Sequence, residues 1–311
     1  MAFFIPDESL QKTAEEVLNA TWQRFPSLAK NQIALTWLVY DEPIIVNTGG
    51  ALSVDEFWKH PIRGYSYRGD ENLYPASVVK LFYLVAIKDW IKTGMLETSP
   101  ELERAIRDMI VDSSNDATGL VLDVLTGTTS GPELTIAPFQ TWAYQRNIVN
   151  RYYQSLGWEE LKTINVNQKT WGDGPYGRER MYLGENFENR NRLTTSAIAR
   201  LFHSIVGGVA VSSEISQEMM SLLQRDVNQK TLAPHEEENQ VSGFLGEALS
   251  TGDHLWSKAG WTSKVRLDSA YIEKSNGKAY HLTVFTEGAE NSQNREILPF
   301  ISSRISQFME H

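Results

Sequence analysis

The chain has 311 residues, 41% hydrophobic and 22% charged, with a formal net charge of -10 and no cysteine. That composition suits a globular chain with a sizeable core and excludes a disordered one. The acidic balance excludes a general nucleic-acid or anionic-membrane surface, and the lack of cysteine removes disulfides, thiol catalysis and thiolate metal sites.

The N-terminus MAFFIPDESLQKTAEEVLNATW shows no basic stretch leading into a sustained apolar run, and no segment reaches the roughly 18 apolar residues of a membrane span. As written, the sequence is expected in the cytoplasm; removal of an N-terminal segment would place it in the periplasm or outside the cell. DESLQKTAEEVLNATWQRF sets Leu10, Val17, Leu18 and Trp22 along one helical face behind an Asp7 cap. QIALTWLVYD and PIIVNTG are β-rich runs parted by Glu42 and Pro43, which reads as a hairpin. YPASVVKLFYLVAIKDW then starts an apolar helix that ends near Gly94.

From about 98 to 225 the pattern is mainly helical, with one long interruption, NQKTWGDGPYGRERMYLGENFENRNR. A loop of that length is usually functional or mobile. LTTSAIARLFHSIV returns to helix behind a threonine cap, and HLWSKAGW, VRLDSAYIEK and AYHLTVFTE are strands before a closing helix. Strands at both ends with helices between predict an α/β (α+β) fold. Residues 1–74 and 226–311 would form an antiparallel sheet flanked by helices, with a helical part over 75–225 inserted into the same structural unit.

Lys80 is a charge in an apolar helix, three residues after Ser77. Residues so spaced share a helix face, which brings a serine hydroxyl and an amine within hydrogen-bond range. Burial keeps part of such a lysine neutral, so that it can take the serine's proton, and the first helical turn supplies N–H groups for an oxyanion. The plainer reading is an N-terminal helix serine beside a snorkelling lysine. SLAK, Ser27 to Lys30, has the same spacing but precedes a strand. Two further elements favour chemistry. DSSND offers Ser113 and Asn115 at the start of a helix, and SKAGW offers Lys258 and Gly260 on a strand before a hairpin. The letter-perfect KTG at Lys92 to Gly94 ends a helix ahead of Ser113 and is out of place.

With S-x-x-K, S-x-N and K-x-G in this order and setting, the chain resembles the penicillin-recognising serine hydrolases, and in layout class A β-lactamases, over nearly its whole length. The resemblance implies a β-lactamase/transpeptidase-like fold and no cofactor. It implies that Ser77 attacks a carbonyl, Lys80 accepts its proton and Ser113 passes a proton to the leaving nitrogen. Asn115 would hold Lys80 and a substrate amide in register, and Lys258 would raise the local potential. The N–H groups of Ser77 and Trp261, beside Gly260, would form the oxyanion hole.

Three positions depart from the family's pattern. Ala259 replaces a hydroxyl that binds the substrate carboxylate, for which Thr262 or Arg266 is the substitute. No E-x-x-L-N element occurs in the long loop, leaving Glu179, with Glu185 second, as the acid for the deacylating water; either also reads as a solvated loop acid. Ser114 stands where the middle residue is usually acidic. His60, His203, His235, His254 and His281 are scattered and do not pattern as metal ligands, and HEEEN from His235 reads as a solvated acidic loop. Trp142, Tyr144, Trp158 and Trp171 read as core packing before cleft lining. The implied partner is a small-molecule substrate, a β-lactam, peptide or ester, with no nucleic acid and no membrane. The sequence leaves the subunit count open. β-Lactam hydrolysis leads; a penicillin-binding-type peptidase or small-ester hydrolase is the alternative, and a non-catalytic binding protein the third reading.

Overall fold

Ile33–Tyr40 is buried at every position because its two faces pack on different helices. Ile33, Leu35, Trp37 and Val39 join an apolar cluster with Leu10 and Leu18 of helix Glu8–Arg24 and with Ile301 and Ile305 of helix Ile297–Phe308. Thr36 and Tyr40 point the other way, to Thr195 and His203 of helix Thr195–Val206. The two-residue period of a strand allows both. Each large apolar side chain so covered contributes roughly 1.5 to 3 kcal/mol.

The structure is a computed structural model describing residues 3–232 and 239–310. It divides into two units, Met1–Glu71 with Thr194–His311, and Asn72–Leu193. The first holds a seven-stranded sheet: β1 Ile5–Pro6, β2 Ile33–Tyr40, β3 Arg63–Tyr67, β4 Gln224–Arg225, β5 His254–Thr262, β6 Val265–Glu273 and β7 Ala279–Glu287, in the order β1-β3-β2-β7-β6-β5-β4. All neighbours are antiparallel except β1 and β3. The two ends of the chain meet where β2 pairs with β7, from Ile33 opposite Thr286 to Tyr40 opposite Ala279. This is the α/β sheet with flanking helices that the sequence predicts.

Two details differ. The expected hairpin does not form: Ile45–Gly49 is a short 3-10 helix, and β2 takes β3 as its neighbour. Pro43 interrupts the run, and Asn47 holds the turn by donating to the Gly207 carbonyl and accepting from the Leu52 N–H. The helical part also ends earlier than residue 225. Helix Thr195–Val206 belongs with the sheet because its apolar face lies on β2, β6 and β7, with Phe202 against His281 at 5.0 Å between ring centroids.

The unit Asn72–Leu193 is built on helix Lys80–Lys92, whose residues from Lys80 through Ile87 are all buried. Helices Pro100–Val111, Asn115–Thr126 and Ile148–Ser155 surround it, and the Tyr153 hydroxyl donates to the Phe82 carbonyl at 2.6 Å. The ends of the unit are tied by mutual backbone bonds of Leu73 and Leu193, each 2.9 Å. No helix among the described residues is long and apolar enough to cross a membrane.

Candidate active site

Ser77 lies in the 3-10 turn Ala76–Val79 that runs into helix Lys80–Lys92. Its N–H is among the first-turn donors that have no partner within the helix. Ala76, immediately before it, has φ of +41°, a left-handed conformation costly for a residue with a Cβ. Ser113 is also left-handed, with φ of +54°. Such strain at a serine and its neighbours is typical of sites held in one shape by their surroundings.

Lys80 is fully buried, and among the described residues its ammonium meets only neutral acceptors: the Ser113 carbonyl at 2.5 Å, Asn115 Oδ1 at 2.9 Å and Ser113 Oγ at 3.2 Å. Removal from water without a carboxylate partner brings its pKa down to about 7. A substantial neutral fraction is thus present at physiological pH. A neutral amine has two N–H groups and one lone pair, so it keeps the two short bonds and turns its lone pair to a hydroxyl. No hydrogen bond joins Lys80 to the Ser77 hydroxyl among the described residues. Catalytic contacts are often long before substrate binds.

Ser114 caps helix Asn115–Thr126 by accepting from the Ala117 N–H at 3.2 Å. The departure from an acidic residue there therefore serves the helix. Asn115 Oδ1 accepts twice, from Lys80 and from the Thr170 hydroxyl at 2.9 Å. With Oδ1 occupied by two donors, the Asn115 amide is locked with its N–H groups directed elsewhere. Sequence reasoning missed Thr170; its only signal was its place in the long loop next to Lys169.

Glu179 is held through Oε1, while its Oε2 is buried without a hydrogen bond among the described residues. It is 1% exposed, is ion-paired to Arg146 and accepts from Ser130 Oγ at 2.8 Å. Arg146 also holds Asp123 at 3.0 Å, and Asp123 takes Lys169 at 2.6 Å. This buried charge network pins the loop, which explains why the acid lies there. Glu185, the second choice, is exposed. Among the aromatics, Trp142 is buried and donates to the Thr129 carbonyl, whereas Tyr144 is 66% exposed and packs under Arg151.

In the sheet unit, Lys258 of β5 is fully buried and donates to Gln240 Oε1 at 2.6 Å and to the Ala259 carbonyl at 2.9 Å. The Ala259 N–H reaches the same Gln240 oxygen at 3.3 Å. β4 pairs only with Leu255 and Trp256, so β5 is an edge strand beyond them. The N–H of Trp261 has the same parity as that of Ala259 and is directed out of that edge. Gly260 sits between them, opposite Leu267 of β6.

The two substitutes for the lost hydroxyl are otherwise engaged. Thr262 Oγ1 accepts from the Lys264 N–H at 3.2 Å in the β5–β6 turn. Arg266 is neither an exposed strand arginine nor open to solvent: at 1% exposure its Nε donates to the Ser292 carbonyl at 2.9 Å, and its guanidinium lies 4.8 Å from the Phe244 ring. The Trp261 indole uses the same Ser292 carbonyl. Ala259 faces the apolar cluster opposite Asp268, whose Oδ1 is buried without a hydrogen bond. Burial brings the pKa of Asp268 up to about 7. No group of three His, Asp or Glu side chains suited to a metal occurs among the described residues, and His235 with the acidic run 236–238 lies outside them.

No protein of curated function matches the chain in sequence. Solved structures match in fold. A mutant of PBP-A, an acyl-enzyme complex with penicillin G, aligns over 98% of this chain and 98% of its own at 17% identity and TM-score 0.64. The β-lactamase of Sphaerobacter thermophilus aligns over 94% and 97% at 18% identity and TM-score 0.62. That of Chitinophaga pinensis aligns over 96% and 99% at 13% identity and TM-score 0.62. The sheet with its helices is thus of the β-lactamase/transpeptidase-like kind. The sequence model of the beta-lactamase enzyme family matches residues 59–309, and the chain belongs to that family.

Proposed function

We propose that the protein is a penicillin-recognising serine hydrolase that forms an acyl-enzyme on Ser77 and releases it slowly. The observation that carries the reading is the Lys80 amine, buried among neutral acceptors with its pKa brought to about 7, one turn from Ser77. Ser77 Oγ attacks the amide carbonyl of a β-lactam as its proton passes to Lys80, directly or through water. The C–N bond then breaks, and Ser113, hydrogen-bonded to Lys80, delivers the proton to the leaving nitrogen while Lys80 restores it. The locked amide of Asn115 offers its N–H groups to a substrate carbonyl. The N–H of Ser77, in the first turn of its helix, is a donor for the oxyanion.

Release is the weak step in this reading. Glu179 is held by Arg146, and the long loop has no E-x-x-L-N element to supply another acid. Ala259 and the engaged Arg266 favour a substrate without the penicillin carboxylate, so a peptide or small ester as the natural acyl donor is the second reading. A purely binding role is disfavoured, since a strained Ala76 and a desolvated lysine both cost stability that binding alone does not require.

Labelling with a fluorescent penicillin, competed by p-nitrophenyl esters, tests the proposal. Label on the wild type that is lost in Ser77→Ala, with ester cleavage lost alongside it, is expected. Equal labelling of the two proteins, or neither labelling nor ester cleavage by the wild type, would overturn it.

A further inference from the structure

A cavity of about 500 Å³ opens in the sheet unit between the end of β2 and the segment that follows it. Every residue lining it belongs to that unit, and none belongs to the Ser77 cluster. Its walls are apolar, formed by Val39, Ile44, Leu52, Phe57 and Ile62. A volume of this size accommodates a small organic molecule. Asp41, Glu42, His60 and Arg63 stand at its rim, exposed, with Arg63 engaged by Asp7 and Asp41.

One polar side chain of the lining has a ring nitrogen without a protein partner among the described residues. His203 lines the cavity at 4% exposure, stacked on Tyr40 and packed against Phe57. Its Nδ1 lies 3.1 Å from the Tyr40 hydroxyl, while its Nε2 has no hydrogen-bond partner among the described residues. The tautomer follows from the tyrosine. Tyr40 is buried, His203 is its one hydrogen-bond partner among the described residues, and its proton needs an acceptor, so the phenol donates to Nδ1. Burial keeps the phenol protonated and the imidazole neutral. Nε2 therefore carries the ring's proton and is left as a donor without a protein partner among the described residues. Asn47, the buried amide of the lining, is satisfied by Gly207 and Leu52.

We propose that this cavity is a ligand site, separate from the serine site, for a neutral and largely apolar small molecule that presents one carbonyl or ether oxygen to His203 Nε2. The chemistry of the walls selects against other classes. A carboxylate or phosphate would meet Asp41 and Glu42 at the entrance, with the nearby Arg63 already paired. An ammonium would find a donor, not an acceptor, at the His203 nitrogen. An unfunctionalised hydrocarbon would leave that donor unpaired, whereas an acceptor oxygen satisfies it.

The probe is Prodan, a neutral naphthalene ketone whose emission reports both polarity and hydrogen bonding at its carbonyl, titrated with the full chain. The site predicts saturable binding of one probe per chain with blue-shifted emission. Leu52→Trp, at a half-open wall position, fills the mouth and abolishes that binding while circular dichroism and melting temperature are retained. His203→Phe keeps an aromatic ring in place but weakens binding about tenfold, as expected for one lost hydrogen bond, and shifts the bound emission further to the blue. Absence of saturable binding to the wild type overturns the proposal. So does unchanged binding in Leu52→Trp, or a His203→Phe variant that matches the wild type in both affinity and emission.

Discussion

Lys80 and Glu179 are both buried ionisable side chains of the same unit, and they are treated in opposite ways. Lys80 is surrounded by a carbonyl, an amide oxygen and a hydroxyl, none charged, so burial falls on its cation and the amine becomes available as a base. Glu179 is paired with Arg146, inside a network that includes Asp123 and Lys169, so its Oε1 faces an opposite charge. Burial alone does not make a group catalytic. A buried charge left with neutral partners is poised to give up or accept a proton, while one with an opposite charge becomes a structural tie.

The comparison breaks most visibly at Lys80. Lys80→Ala should slow acylation by roughly 10²- to 10⁴-fold, the range for a general base, in stopped-flow measurements with a penicillin. At Glu179 the loss should appear in stability instead. Glu179→Gln is expected to cost roughly 3 to 5 kcal/mol, because Arg146 is left buried with an incomplete partner set, and urea unfolding reads this directly. Its acyl-enzyme lifetime should match the wild type's at a temperature where both are folded. A much longer lifetime would return Glu179 to the chemistry.

The pH profile sharpens the same contrast. With Lys80 as the proposed base, which must be neutral to act, and its pKa brought down to about 7 by burial, acylation should fall about tenfold per pH unit below 7 and level off above it. An acid limb near pH 4 to 5 would point to a carboxylate as the base. Thr170→Val should reduce acylation about tenfold by freeing the Asn115 amide, with Thr170→Ser restoring it. The last contrast concerns Asp268, whose folded pKa of about 7 is raised above the ordinary 3.8. The stability tied to its proton is fully present below about pH 3.8 and is lost as pH rises through 7. Asp268→Asn should flatten that slope in thermal melts.

Much of the fold was legible because its signals are local or ordered. The Asp7 cap, the alternation in β5, β6 and β7, and the apolar helix after Ser77 are each written in a few neighbouring residues. PIIVNTG misled because β-branched residues suit a strand, while the bonds that bend it come from Gly207, far along the chain. Spacing drew attention to Ser77, Lys80, Ser113 and Asn115, and the fold brings Lys80 to Ser113 and Asn115. Thr170, Gln240 and the Arg146 pair of Glu179 were not, since each works through a partner that no spacing reveals. Arg266 was misjudged for a related reason: strand position shows which face a side chain takes, not which carbonyl will hold it.

The central claim is that Ser77 captures the acyl group readily and lets it go slowly. Intact-mass spectrometry of the wild-type chain after mixing with penicillin G, followed over time and mapped by peptide digestion, tests it most directly. The account predicts a single penicilloyl adduct on Ser77 that forms within the first minutes and persists long after free antibiotic is removed. Complete hydrolysis of the penicillin with no adduct accumulating, or an adduct on any other residue, would contradict it.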